Sequence, residues 1–273
     1  MSLGIIIKSP EGLVLAAESR VTLGAQVNTP VGVQQLTFNF DNANKLLSFN
    51  PPFEKLGVVT YGLAVLGGIR TAQSLIPEFE TSLEKGERLK VSEFAQKLSS
   101  FFMDQWKVFM VGAPQIAPGQ GMFFNVAGYD DDESYGKVYQ FEIPTKPQPV
   151  EQNPKTGGRE NFGIIAGGQN EIMARILLGY DPRFFNILLQ QKIITQQQLT
   201  ALAPQLEQLK LQVPIQLMPL QDCVNMAVLL IRTTIDAQSL AIGVRGCGGA
   251  IDVAIITKGH ALNFIQQKKI IVN

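Results

Sequence analysis

Apolar and polar positions divide the 273-residue chain into alternating blocks of strand and helix character. Leu3–Lys8 and Leu13–Glu18 are apolar, β-rich runs joined by Ser9-Pro10-Glu11-Gly12, which places proline and glycine where a tight reversal needs them. They predict a hairpin. Alternation in SLGIII is blurred, as in a strand buried on both faces. A looser stretch from Thr22 to Phe40, with Gly24, Pro30 and Gly32, predicts a second, longer hairpin or flap. NANKLLSF and KLGVVTYGLAVLG, separated by NPPFE, supply further strands.

From Ile69 the period changes. Ile69, Ala72, Leu75, Ile76, Phe79 and Leu83 recur at three- and four-residue steps, predicting a helix ended by Gly86. A second helix is expected in VSEFAQKLSSFFMDQWKVF, with Ser92 as N-cap before Phe94, Leu98, Phe101 and Phe102. GMFFNVAGYDDDESYGKVYQFEI reads as a hairpin, its acidic tip most simply a solvated turn. Residues 144–160, rich in proline, glycine and polar side chains, read as a surface insertion. FGIIAGGQNEIMARILLG runs from a short strand into a helix, and its Gly-Gly lacks the lysine and spacing of a phosphate loop. The Gln-rich stretch 186–214 is mostly helical in period, interrupted at Pro204. An amphipathic helix, LQDCVNMAVLLIRTTIDAQ, and a final hairpin, GGAIDVAIITKGHALNFI, follow. Runs of strands alternating with runs of helices predict an α+β fold with two mostly antiparallel sheets. Stacked with helices outside, they make a four-layer αββα sandwich. One domain over residues 1–273 is expected, with surface insertions near 22–40, 144–160 and 186–214.

Charge and composition narrow the function. The 23 basic and 23 acidic residues balance, and no Lys/Arg-rich run marks a nucleic acid or anionic membrane partner. No apolar stretch reaches a membrane span and the N-terminus lacks signal-peptide organisation, so a cytoplasmic protein is expected. Cys223 and Cys247 lie in apolar or glycine-rich surroundings without the spacing of a zinc site, and read as reduced structural thiols. His260 is the lone histidine, read as a loop residue; multi-His metal sites fall away. No metal or cofactor is expected. One chemistry-bearing unit remains at the N-terminus. Ser2 is small enough to allow removal of Met1, which leaves a hydroxyl beside an α-amine. An amine of pKa about 8 can serve as the base that activates the hydroxyl.

Several segments carry a resemblance to the proteasome β-type subunits of the N-terminal-nucleophile (Ntn) hydrolase superfamily, in a divergent bacterial-type form. They are EGLVLAAESRVT, NKLLSF, GVVTYGLA and GGAIDVAII. The resemblance spans nearly the whole chain. It implies peptide or amide hydrolysis and self-assembly into a ring or open helical array. It also assigns roles, with Glu18 at the catalytic acidic position and Arg20 at the basic residue after it. Lys45 falls beside the nucleophile, where an ammonium depresses the pKa of the amine, and Gly62 offers the oxyanion N–H. Three supports of the terminal amine differ: Gly167 and Cys247 stand where serines are usual, and Val244 falls near the supporting aspartate. Asp236 is too far upstream to replace it.

Counted without gaps from LVLAAESR, Ser2 falls on the nucleophile position. Matching LGI to the family's small-apolar, Gly, Ile motif lengthens the turn by two residues and puts the nucleophile before Met1. The two registers keep the same side-chain faces and differ by about 6.7 Å along a strand. Two functions follow: an Ntn peptidase or amidase with Ser2 as nucleophile, or a catalytically inactive, proteasome-like assembly subunit.

Overall fold

A computed structural model describes residues 2–30, 32–83, 88–243 and 245–269. Met1, Gly86 and Val244, on which expectations above fall, lie outside these residues. The strands are β1 (Leu3–Lys8), β2 (Leu13–Glu18), β3 (Val21–Thr29), β4 (Gly32–Phe40), β5 (Leu46–Ser48), β6 (Leu56–Gly62), β7 (Val65–Leu66), β8 (Arg70–Thr71), β9 (Met122–Gly128), β10 (Lys137–Ile143), β11 (Lys146–Gln152), β12 (Gly163–Gly168), β13 (Ile251–Thr257) and β14 (His260–Gln266). The helices are α1 (Ala72–Ser82), α2 (Val91–Phe109), α3 (Glu171–Leu178), α4 (Arg183–Gln190), α5 (Gln196–Leu209) and α6 (Leu220–Leu240). None is long and apolar enough to cross a membrane.

Two five-stranded antiparallel sheets form the centre, in the orders β12-β1-β2-β13-β14 and β11-β10-β9-β6-β5. Ile6, Leu13 and Leu15 of the first sheet meet Val59, Ala127 and Val138 of the second in the inner core. On the outer face of the first sheet, Leu3, Ile5 and Ile7 pack against Ala227, Leu230 and Ile231 of α6. Strand β1 is therefore buried on both faces, which is why its alternation is blurred. Outside the second sheet, Phe124 and Phe141 pack beneath Phe79 of α1 and Phe94 and Phe102 of α2. Each buried aromatic there is worth about 1.5–3 kcal/mol of transfer free energy. The result is the expected αββα sandwich.

Several boundaries move, each for a local reason. Helix α1 begins after Thr71, whose hydroxyl accepts from the Ser74 N–H at 3.1 Å. Ile69, counted as its first apolar position, stands exposed before it. The N-cap of α2 is Lys90 rather than Ser92. Its N–H donates to Glu93 at 2.9 Å, while the Val91 N–H donates to Asp130 at 2.8 Å. The acidic tip thus has a buried member, Asp130, which caps a helix distant in sequence and holds Lys137 at 3.0 Å. Residues 144–160 are not wholly an insertion, because β11 pairs with β10 as the sheet edge. The helical break in 186–214 falls at 191–195, with Thr195 capping α5, and Pro204 lies inside that helix.

Candidate functional site

The tight turn after β1 sets the site's position. Ser9 N–H donates to the Gly12 carbonyl at 3.0 Å, and Lys8 pairs with Leu13 and Gly4 with Ala17. This pairing leaves Ser2 at the mouth of β1, where its carbonyl accepts from the Gln169 N–H at 2.7 Å. Ser2 lines a cavity of about 180 Å³ together with Val21, Lys45, Thr60, Tyr61 and Gly62. The structure thus brings Ser2, Lys45 and Gly62 to one wall, with Glu18 and Arg20 directly behind it.

Glu18 ends β2 and is buried. Its Oε1 accepts from the Leu3 N–H at 3.2 Å and from Lys45 Nζ. Its Oε2 accepts from the N–H groups of Arg20 at 2.7 Å and Gly248 at 3.0 Å. Lys45 also donates to the Arg20 carbonyl. Two of its three ammonium donors are thereby committed to the wall, leaving one for the cavity. Burial pulls the Lys45 pKa below its ordinary value, and the Glu18 carboxylate opposes that pull. Gly62 closes β6 with φ +87°, a left-handed conformation, and a Cβ there would lie 2.3 Å from the Gly121 carbonyl oxygen. No other residue type fits this turn without strain.

Arg20 has a different partner. Its guanidinium forms a fork on Asp41, Nε to Oδ1 at 2.6 Å and Nη2 to Oδ2 at 2.7 Å. These two residues flank β3 and β4, so the fork closes the base of that hairpin. The Asp41 carboxyl is held below its ordinary value, chiefly by the hydrogen bond from Arg20. A depressed carboxylate pKa contributes stability above the ordinary value, which is lost as pH falls through the folded one. An NMR titration is expected to show the Asp41 carboxyl shifted upward in an Arg20→Gln variant; an unmoved midpoint would show that the fork does not form in solution.

Beside these charges lie three neutral polar groups, Gln169, Gln238 and Cys247. Gln238 donates through Nε2 to Gln169 Oε1 at 2.6 Å and accepts from the Cys247 N–H at 2.9 Å. The Cys247 thiol contacts Gln169 Oε1 at 3.6 Å, and burial pushes its pKa up to about 12. At Gly167, a Cβ would lie 2.0 Å from Tyr61 Oη, so the phenol occupies the space of any side chain there. Tyr61 in turn accepts from Gln140 Nε2 at 2.7 Å, and burial raises its pKa to about 12. Sequence reasoning missed Asp41, Tyr61, Gln169 and Gln238. For Asp41 a signal existed: residues 21–40, between Arg20 and Asp41, contain no charged residue.

No protein-family model matches the chain, and no curated protein sequence matches it. Solved structures do. A Gly-1 mutant of Anbu from Hyphomicrobium sp. strain MC1 aligns with a TM-score of 0.54 at 12% identity, over 98% of this chain and 86% of that one. The Anbu complex from Pseudomonas aeruginosa, solved as a helical assembly, gives 0.54 at 14% identity, over 96% and 82%. The chain thus shares the fold of Anbu, an Ntn-hydrolase-like, proteasome-like architecture. Within this Ntn fold, the cavity lies at the end of the inter-sheet core where β1 begins and β6 ends. Identity this low establishes architecture and leaves the chemistry to this chain's own residues.

Proposed function

We propose that the protein is a proteasome-like Ntn hydrolase of peptide or amide bonds, with Ser2 as its N-terminal nucleophile. The carrying observation is that Ser2 lines one cavity with Lys45 and Gly62, backed by the buried Glu18 carboxylate. Removal of Met1 exposes the Ser2 amine. That amine takes the hydroxyl proton as Oγ attacks the substrate carbonyl, and the Gly62 N–H stabilises the oxyanion. The leaving amine departs with the proton, and water then hydrolyses the ester to release acid and restore Ser2. Lys45 holds positive potential beside the base and keeps it unprotonated more of the time, while Glu18 fixes Lys45 and, through Leu3, the strand that carries Ser2. Arg20 supports the wall through its carbonyl on Lys45.

Two measurements test this reading. The intact mass of the purified protein is expected to be lighter by one methionine residue, and an electrophilic active-site probe is expected to label Ser2 but not a Ser2→Ala protein. Retained Met1, or equal labelling of the variant, defeats it.

A second reading is favoured by Tyr61 filling the space at Gly167 and by the neutral Gln169–Gln238–Cys247 wall. In that reading the chain is a catalytically inactive assembly subunit, and Lys45 and Glu18 are a structural ion pair. Turnover of a peptide library after Met1 removal excludes it. Both readings place the chain in a homo-oligomer, a ring or an open helical array. The helical assembly of the Pseudomonas aeruginosa Anbu complex supports this.

A further inference from the structure

The β3–β4 ribbon has a chemistry of its own. Each strand has nine residues, about 30 Å of chain at roughly 3.3 Å per residue, paired in register from Val21↔Phe40 to Thr29↔Gly32. Every residue of β4 is exposed, and no described residue of the ribbon belongs to the protein's hydrophobic clusters. An isolated two-stranded ribbon is at best marginally stable in water.

Its two faces differ. Directly paired residues share a face, so Phe40 lies beside Val21 and Phe38 beside Leu23, with Leu36 and Val27 continuing the same side. Phe38, Phe40 and Leu36 are 44%, 60% and 40% exposed. The opposite face is mostly polar, with Thr22, Gln26, Asn28, Gln35, Thr37 and Asn39 beside a single exposed valine, Val33, and the Thr22 hydroxyl donates to Asn39 Oδ1 at 2.9 Å.

We propose that this apolar face docks on the same face of a second copy of the chain. The argument rests on charge. Residues 21–40 contain no Asp, Glu, Lys, Arg or His, in a chain that is 17% charged. Strands with unpaired edges, as both strands of this ribbon have, are commonly guarded by charges, lysine above all, against contact with other chains. A two-fold contact sets the same patch against itself, so residues near the axis meet their own copies and a charge there opposes itself; the absence of charge over twenty residues leaves the face self-compatible. Stacked face to face about 10 Å apart, two ribbons make a small four-stranded sandwich whose core is Leu36, Phe38 and Phe40 from both copies. One face covers on the order of 400–500 Å², so the pair buries roughly 900 Å², in the class of weak, reversible contacts. Val21, at the ribbon's base, lines the cavity beside Ser2, which places the contact next to the candidate site.

The inference names the surface for the self-association proposed above and rests on it. Sedimentation velocity over a series from micromolar to sub-millimolar is expected to show the parent growing beyond the 29.9 kDa single chain. Leu36→Asp/Phe38→Asp is expected to weaken that association at least about tenfold, since it charges both copies of a central anchor. Thr37→Asp/Asn39→Asp adds the same charge on the polar face and is expected to leave association as in the parent. Hydrogen exchange locates the contact: protection of amides 21–40 should rise with concentration in the parent and the polar-face variant, but not in the apolar-face variant. An assembled parent whose ribbon amides gain no protection overturns the docking surface and leaves self-association standing. A parent that stays single throughout overturns both. Association lost equally in the two double variants also defeats the face-specific contact, in favour of pairing along the ribbon's edge. None of these readouts depends on Ser2 chemistry, so the hydrolase reading stands or falls separately.

Discussion

Glu18→Ala is expected to cost the fold about 3–5 kcal/mol, read as a lower urea midpoint at unchanged slope. The cost comes from what the carboxylate leaves behind. Lys45, itself buried, loses its counter-ion, and the Leu3, Arg20 and Gly248 N–H groups lose their acceptor together. Stranding a buried charge is what makes breaking such a pair expensive, whatever the pair contributes when intact. Glu18→Gln is the sharper variant. Both carboxylate oxygens face donors, so either orientation of an amide turns its NH₂ toward a donor. A glutamine protein within about 0.5 kcal/mol of the parent, the range of an uneventful surface change, would refute this description of the site.

The same pair fixes a pH dependence. Because burial lowers the Lys45 pKa, the folded state holds fewer protons than the unfolded chain between the folded value and the ordinary 10.5. Stability attributable to Lys45 therefore rises with pH through that interval and is lost as pH falls back through the folded value. Removing Glu18, which favours the charged form, widens the interval downward.

What the sequence made legible is what repeats locally. The turn at Ser9–Gly12, the doubly buried β1 and the apolar stripes of α1 and α2 each follow from nearest neighbours in the chain. Contacts made across the fold left weaker traces. The α2 N-terminus is capped by Asp130, thirty-nine residues from Val91, so the local sequence points to Ser92 instead. Strand β11 contains two prolines, which reads as a loop, yet as a sheet edge it needs ladder bonds on one side alone. At the candidate site, spacing from LVLAAESR singled out Ser2, Glu18 and Lys45, and the structure sets Ser2 and Lys45 in one cavity lining with Glu18 bonded to Lys45. The amides behind them escaped because glutamine carries no motif: Gln169 and Gln238 meet only when the end of α6 crosses the end of β12.

Gly167→Ser is expected to destabilise the protein by roughly 3 kcal/mol, at the upper end of ordinary overpacking. The new Cβ meets Tyr61 Oη at 2.0 Å and Cζ at 2.1 Å, and neither side can yield easily. Gly167 is locked by its pairing with Gly4 in the sheet, while the Tyr61 ring stacks on Phe123 with centroids 5.0 Å apart and is anchored by Gln140. Tyr61→Ala alone is expected to cost about 3–5 kcal/mol through the cavity it opens. The two changes occupy the same space, so the double variant should be less unstable than the sum by up to about 3 kcal/mol, measured as a double-mutant cycle in urea. Strict additivity would mean that Tyr61 does not fill the space at position 167. The double variant also separates the two readings of the site, since it restores a hydroxyl where the resemblance expects one. If Ser2 is a nucleophile limited by missing supports, probe labelling of Ser2 should quicken in the Gly167→Ser/Tyr61→Ala protein relative to Tyr61→Ala. If the chain is an inert subunit, the cycle recovers stability while labelling stays absent in both.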